Sequence, residues 1–174
     1  MTLNATIRKI LLLVAALALA ACTDPDRFGA NGGAGGAGGA NGEIVPGSAN
    51  DPTSPAYFAQ TVGDRVLFAV DQSTITPEGQ TTLSGQAEWL LANIDFTAVV
   101  EGHADEQGTR EYNVALGARR ANAVREFLIS RGVAGNRLQV VSYGKERPIE
   151  VCSNEACYSK NRRAVTVLAS GLSS

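Results

Sequence analysis

Apolar and polar positions change their rhythm along this chain, and the changes mark out its parts. Ile10 to Ala21 is an unbroken apolar run of twelve residues behind Arg8 and Lys9. It is too short to cross the roughly 30 Å hydrocarbon core of a bilayer, which needs about 20 helical residues. Small residues at Ala20 and Ala21 suit a cleavage site, so residues 1–21 read as an export signal. From Thr23 to about Pro55 bulky apolar positions nearly vanish. Regular patterns begin near Tyr57. Arg65 to Val70 predicts a strand, and Thr76-Pro77-Glu78 predicts a helix start with a threonine cap and proline at the first helical position. Leu83, Ala87, Leu90, Leu91 and Ile94 follow at helical spacing. Thr97 to Glu101 predicts a second strand, Thr109 to Ser130 a long helix stopped by Gly132, and Leu138 to Tyr143 and Ala164 to Ala169 two more strands. Strands alternating with helices imply a mixed α/β sheet with helices packed on it.

Composition sharpens the middle of the chain. Of 174 residues 19 are glycine, and eight of the fourteen from Gly29 to Gly42 are. With four prolines and little to bury, residues 22–56 are expected to be a disordered tether, with an r.m.s. span of roughly 30–35 Å. A phosphate-cradling glycine loop needs a strand before it and a helix after it, and neither flanks this stretch. The globular domain is therefore placed at residues 57–174. A net charge of −2 excludes an electrostatic footprint for nucleic acid.

Leu19-Ala20-Ala21-Cys22 resembles the bacterial lipobox, which implies lipidation of Cys22 and membrane anchoring through its acyl chains. Thr23, rather than Asp, follows it, which by the same resemblance implies sorting to the outer membrane.

The long helix carries an anomaly. On a helical wheel Tyr112, Leu116, Ala123, Val124, Phe127 and Leu128 lie within about 80° of Arg120 at 100° per residue, with Glu111, Ala118, Asn122, Arg125 and Ile129 opposite. Arg120 thus sits inside the apolar stripe, where an unpaired charge is costly. It needs an anionic partner, from the protein or from a ligand. Upstream, Glu101-Gly102-His103-Ala104-Asp105-Glu106-Gln107-Gly108 gathers polar groups at a strand's carboxyl end beside a helix start, where α/β sheets bind ligands and helix N–H groups favour anions. His103 is the only histidine. With no second His or Cys at ligand spacing it falls short of a metal site, and a hydrogen-bonding role at the loop entrance is expected. Metal sites and cofactors are not implied.

The stretch from Gly102 through Asn113, with Leu116-Gly117 and Arg119-Arg120-Ala121, resembles the signature of the OmpA-like peptidoglycan-binding family. Phe68-Ala69-Val70-Asp71 with Ile75, and Asn161-Arg162-Arg163-Ala164-Val165, resemble its first strand and closing motif. The resemblance runs from about Val62 to Leu168. It implies a two-layer β-α-β-α-β-β sandwich that binds the diaminopimelate side chain of the peptidoglycan stem peptide without covalent chemistry. Asp105 would take that side chain's ammonium and Arg120 its carboxylate, with Asn113 a further hydrogen-bonding group and Asp71 and Arg162 around the pocket. Lipobox and tether point to the family's outer-membrane lipoproteins, whose implied partners are peptidoglycan, TolB and the other Tol proteins. A lipoprotein outside the Tol system, or a hydrolase, is the alternative. A hydrolase needs two opposed carboxylates or a zinc site, whereas Asp105 and Arg120 suggest an ion pair. Cys152 and Cys157, with four residues between them in a chain expected to be exported, suggest a disulfide.

Overall fold

A computed structural model describes residues 44–170; the expected export signal, Cys22 and the glycine-rich stretch lie outside the described residues. Among the described residues the elements in chain order are α1 (Pro55–Tyr57), continuing as a π-helical segment Phe58–Gly63, β1 (Arg65–Leu67), α2 (Pro77–Ala92), β2 (Phe96–His103), α3 (Arg110–Ser130), β3 (Leu138–Gly144), α4 (Glu155–Asn161) and β4 (Arg163–Ser170). The sheet is mixed, as expected, in the order β1-β4-β2-β3. β2 and β3 run parallel with α3 as their crossover, and β4 is antiparallel to both β1 and β2. Four strand ends therefore meet at one end of the sheet: the carboxyl ends of β1, β2 and β3 and the amino end of β4.

Local chemistry fixes the two long helices. Thr76 caps α2 by accepting from Gly79 N at 3.1 Å, with Pro77 at the first helical position. Thr109 caps α3 by accepting from Tyr112 N at 3.2 Å. At the far end Gly132 takes φ +102° and Val133 N reaches back to Leu128 O at 3.1 Å, a left-handed stop that favours glycine. Leu83, Ala87 and Leu90 of α2 and Ala121, Val124 and Leu128 of α3 pack on Ala98, Val100, Val66 and Ala164 of the sheet. Where α3 crosses β2 the backbones touch: a Cβ on Gly102 would lie 1.8 Å from Gly117 O, and one on Gly117 2.4 Å from Ser142 Oγ. Glycine at both positions sets how close the helix that carries Arg120 sits to the strand that leads into Asp105.

The structure departs from expectation in four places. β1 ends at Leu67 rather than Val70, because the chain turns at Ala69–Gln72, where Gln72 N bonds Ala69 O at 3.2 Å. Leu91 and Ile94 are 45% and 72% exposed rather than core. Leu91 lies off the buried arc, and Ile94 follows the Asn93 cap, where helical phase no longer applies. α1 and α4 are too short to show a period. Residues 44–54, expected as coil, form turns: Asp51 accepts from Gly47 N at 2.8 Å and Thr53 N at 2.9 Å, and Trp89 Nε1 donates to Pro52 O at 2.7 Å. Trp89 stands between Phe58 and Phe96, with ring centres 4.9 and 5.2 Å away. Hydrogen-bonded turns and packing against Trp89 are thus already present before Tyr57.

Candidate functional site

Asp71, Asp105, Asn113 and Arg120 line one pocket of about 210 Å³, together with Tyr112 and Leu116. It lies at the carboxyl end of β2, against the first three turns of α3. Arg162 stands behind it and touches Asp105. All five candidate residues are brought to this one end of the sheet.

Arg120 is fully buried, as the helical wheel required. Its partners differ from the carboxylate that the wheel demanded. Nε donates to Gln72 O at 2.8 Å, one terminal nitrogen to His103 O at 2.8 Å, and the other to Ala69 O at 3.2 Å. The Phe68 ring packs 5.2 Å from the guanidinium carbon. A guanidinium has five N–H donors, so two remain. The expected Asp105–Arg120 ion pair is not formed; among the described residues Arg120 has no carboxylate in ion-pair contact, and Asp105 pairs instead with Arg162 at 3.1 Å. Burial lowers the Arg120 pKa to about 10, and the field of Asp105 works against that fall. Arg120 is therefore a cation at neutral pH, held by carbonyl dipoles and within the field of an acid it does not touch.

Asp105 is set by its own loop. Oδ1 accepts from Gln107 N at 3.2 Å, the short-range turn that aspartate favours, and Oδ2 accepts from Arg162. Each oxygen keeps a free lone pair. Asn113, 1% exposed, donates to Gln107 O at 2.7 Å. Gly108, at φ +87°, gives the loop its left-handed step, and Lys145 Nζ bonds its carbonyl at 2.8 Å. Asp71 is the only non-glycine residue with positive φ among the described residues, at +56°. This conformation is tolerated by Asp and often found at functional sites. Its carboxylate accepts from the Tyr112 hydroxyl across the pocket mouth. Tyr112 is half-exposed, and its place on the pocket escaped the sequence because the wheel counted it as part of the apolar stripe.

Arg162 joins the pocket to α4. Nε donates to Phe68 O at 3.2 Å, and the guanidinium shares its remaining bonds between Asp105 and Glu155. The pairing with Glu155 raises the Arg162 pKa, and Arg162 in turn holds the Glu155 carboxyl below its usual range. Cys152 and Cys157 form the expected disulfide, with Cα atoms 5.9 Å apart, around the first turn of α4. Asn161 clamps the same loop, accepting from Ile149 N at 2.9 Å and donating to Glu150 O at 2.8 Å.

His103 corrects its expectation. It is 1% exposed, and neither ring nitrogen has a hydrogen-bond partner. The ring stacks on Tyr143 at 5.6 Å, with Nε2 3.6 Å from Glu101 Oε2. Burial, then Arg163 and Arg147, push its pKa down to about 4, so it is neutral at physiological pH. Only its carbonyl serves the site, as an acceptor for Arg120. Among the described residues no group of three or more His, Cys, Asp or Glu could hold a metal ion.

The sequence pattern of the OmpA family matches residues 67–162, the stretch that runs from the end of β1 through α4 and carries the pocket, and the chain belongs to that family. Within it, the chain is similar to the peptidoglycan-associated lipoprotein of Mesorhizobium japonicum, at 52% identity over 92% of this chain and 90% of the relative. It is also similar to that of Rhizobium meliloti, at 48% over 91% and 86%. The crystal structure of the peptidoglycan-associated lipoprotein from Burkholderia pseudomallei superposes with a TM-score of 0.62 at 37% identity, covering 69% of this chain and 98% of that one.

Proposed function

We propose that this chain is an outer-membrane lipoprotein whose domain grips the diaminopimelate side chain of peptidoglycan non-covalently, tying the membrane to the wall. One observation carries the reading: Arg120 is a buried cation with donors to spare and no carboxylate partner among the described residues, on the same pocket as Asp105. A site that presents fixed charges of both signs suits a zwitterion. The ligand carboxylate would meet the planar fork of Arg120, and its ammonium the free lone pairs of Asp105. Asn113 keeps the loop in place, while Asp71 and Tyr112 border the mouth.

Residues 1–21 would be the export signal, Cys22 the lipid attachment, the stretch that follows a tether, and residues 57–174 the wall-binding domain. The names of the relatives support wall association and lipidation. A place beside TolB and the other Tol proteins, during envelope constriction, follows from the same family reading. The reading assigns no reaction to the pocket and needs no cofactor. The test is co-sedimentation of the intact chain in detergent with purified wall, alongside an assay for soluble wall fragments. Sedimentation that Asp105→Asn abolishes, without fragment release, is expected. Release of fragments by the purified chain would overturn the anchoring role in favour of a hydrolase.

A further inference from the structure

Asp105, the acid assigned to the ligand ammonium, is not free: its Oδ2 is bonded to a guanidinium that is itself almost fully buried, with the Arg162 side chain 5% exposed. Left as a simple pair, Arg162 would cancel the charge that an ammonium needs to find. A second carboxylate prevents this. Glu155 stands at the first position of α4, its side chain 66% exposed at the edge of the site. It engages Arg162 through both oxygens, one to each terminal nitrogen. The first turn of α4 is fixed around it. Asn154 caps the helix, accepting from Cys157 N at 3.3 Å, and the Cys152–Cys157 disulfide closes over the same residues. Arg162 thus bridges two acids, one facing the pocket and one facing solvent.

We propose that Glu155 is a positioning residue that sets the pocket's preference for an ammonium, by supplying the counter-charge that frees Asp105 from Arg162. This rests on the zwitterion reading above. With Glu155 in place the Asp105–Arg162–Glu155 trio carries one net negative charge. When an ammonium approaches Asp105, Arg162 can lean on Glu155, and no buried guanidinium is left unpaired. Without Glu155 the trio is neutral, Arg162 depends on Asp105 alone, and the pocket as a whole turns more positive. The two halves of the ligand then respond in opposite directions: the ammonium is held less well and the carboxylate, at Arg120, no worse.

That opposition is the test. Calorimetric titrations of the intact chain and of Glu155→Gln are run with two peptides. One is a stem peptide ending in diaminopimelate; the other is its analogue lacking the distal amine. Glu155→Gln is expected to weaken the diaminopimelate peptide about three- to tenfold and to leave the amine-free analogue unchanged or tighter. Equal weakening of both peptides would mean that Glu155 is merely structural, and no change in either would mean that it is a bystander. Both results overturn the proposal. If the unsubstituted chain binds neither peptide, the zwitterion reading itself has failed, and this inference falls with it.

Discussion

Gly102→Ala places a methyl group where β2 and α3 touch. The added Cβ would lie 1.8 Å from Gly117 O and 2.6 Å from Gly117 C, backbone atoms in the middle of a 21-residue helix that no rotamer change can clear. Reaching the 3.0–3.4 Å of the tightest real Cβ contacts requires strand and helix to part by about 1.2–1.6 Å. Overpacking of this kind typically costs about 1–3 kcal/mol, and a backbone obstacle puts the expected loss at about 3 kcal/mol or more. The displacement also reaches the site. Arg120 lies one turn beyond Gly117, and its bonds to Gln72 O and Ala69 O span to the turn after β1. Urea denaturation of the full chain in detergent should therefore show a lower midpoint, and calorimetry should show lost ligand affinity even where folding is complete. Gly85→Ala is the control. It lies inside α2, where a Cβ would meet only Val62 Cγ1 at 3.5 Å, so it should stabilise by about 0.5–1 kcal/mol through helix propensity. A Gly102→Ala chain within about 0.5 kcal/mol of the parent, the range of ordinary surface changes, would refute the close-approach argument.

Three further outcomes are expected. Asp105→Asn should abolish wall sedimentation at a stability cost below about 2 kcal/mol, because Arg162 keeps Glu155; Arg120→Met should abolish it and unfold at lower urea, because it strands three carbonyls. Equal midpoints for the two variants would contradict this. Reduction of Cys152–Cys157 should lower stability by about 2 kcal/mol, the loop-closure value for so short a loop, and a midpoint shift well above that would mean the bridge holds more than α4. His103 has its pKa depressed from an ordinary 6.5 to about 4, so the unfolded chain takes up its proton first. Stability should then fall as pH drops from about 6.5 towards 4, and His103→Leu should show a shallower fall over that window; parallel curves would place the pH dependence elsewhere.

The helices and the sheet were legible because their signals are local. Thr76-Pro77 and Thr109 are caps, Gly132 is a stop, and the strands from Phe96 and Arg163 are runs rich in apolar and β-branched residues. The burial of Arg120 was equally legible, since a wheel needs only one helix. Its partners were not, because the carbonyls of Ala69, Gln72 and His103 carry no sequence identity. The pairing of Asp105 with Arg162 was hidden for another reason: it spans 57 residues and depends on β4 entering the sheet between β1 and β2. Glu155 lies within a seven-residue helix that has no readable period. His103 illustrates the reverse error, where a polar residue type suggested a hydrogen bond and the fold buried its ring between Tyr143 and neighbouring charges.

The central claim is that the pocket recognises a zwitterion, with Asp105 and Arg120 reading its opposite charges. Titration of the isotope-labelled chain with a diaminopimelate stem peptide, followed by amide chemical shifts, tests it against the same peptide carrying lysine, which keeps the ammonium and lacks the distal carboxylate. Saturable shifts centred on Asp105, Asn113 and Arg120, with lysine peptide at least about tenfold weaker, a difference of about 1.4 kcal/mol, are predicted. Equal affinity for the two peptides, or shifts centred away from this pocket, would contradict it.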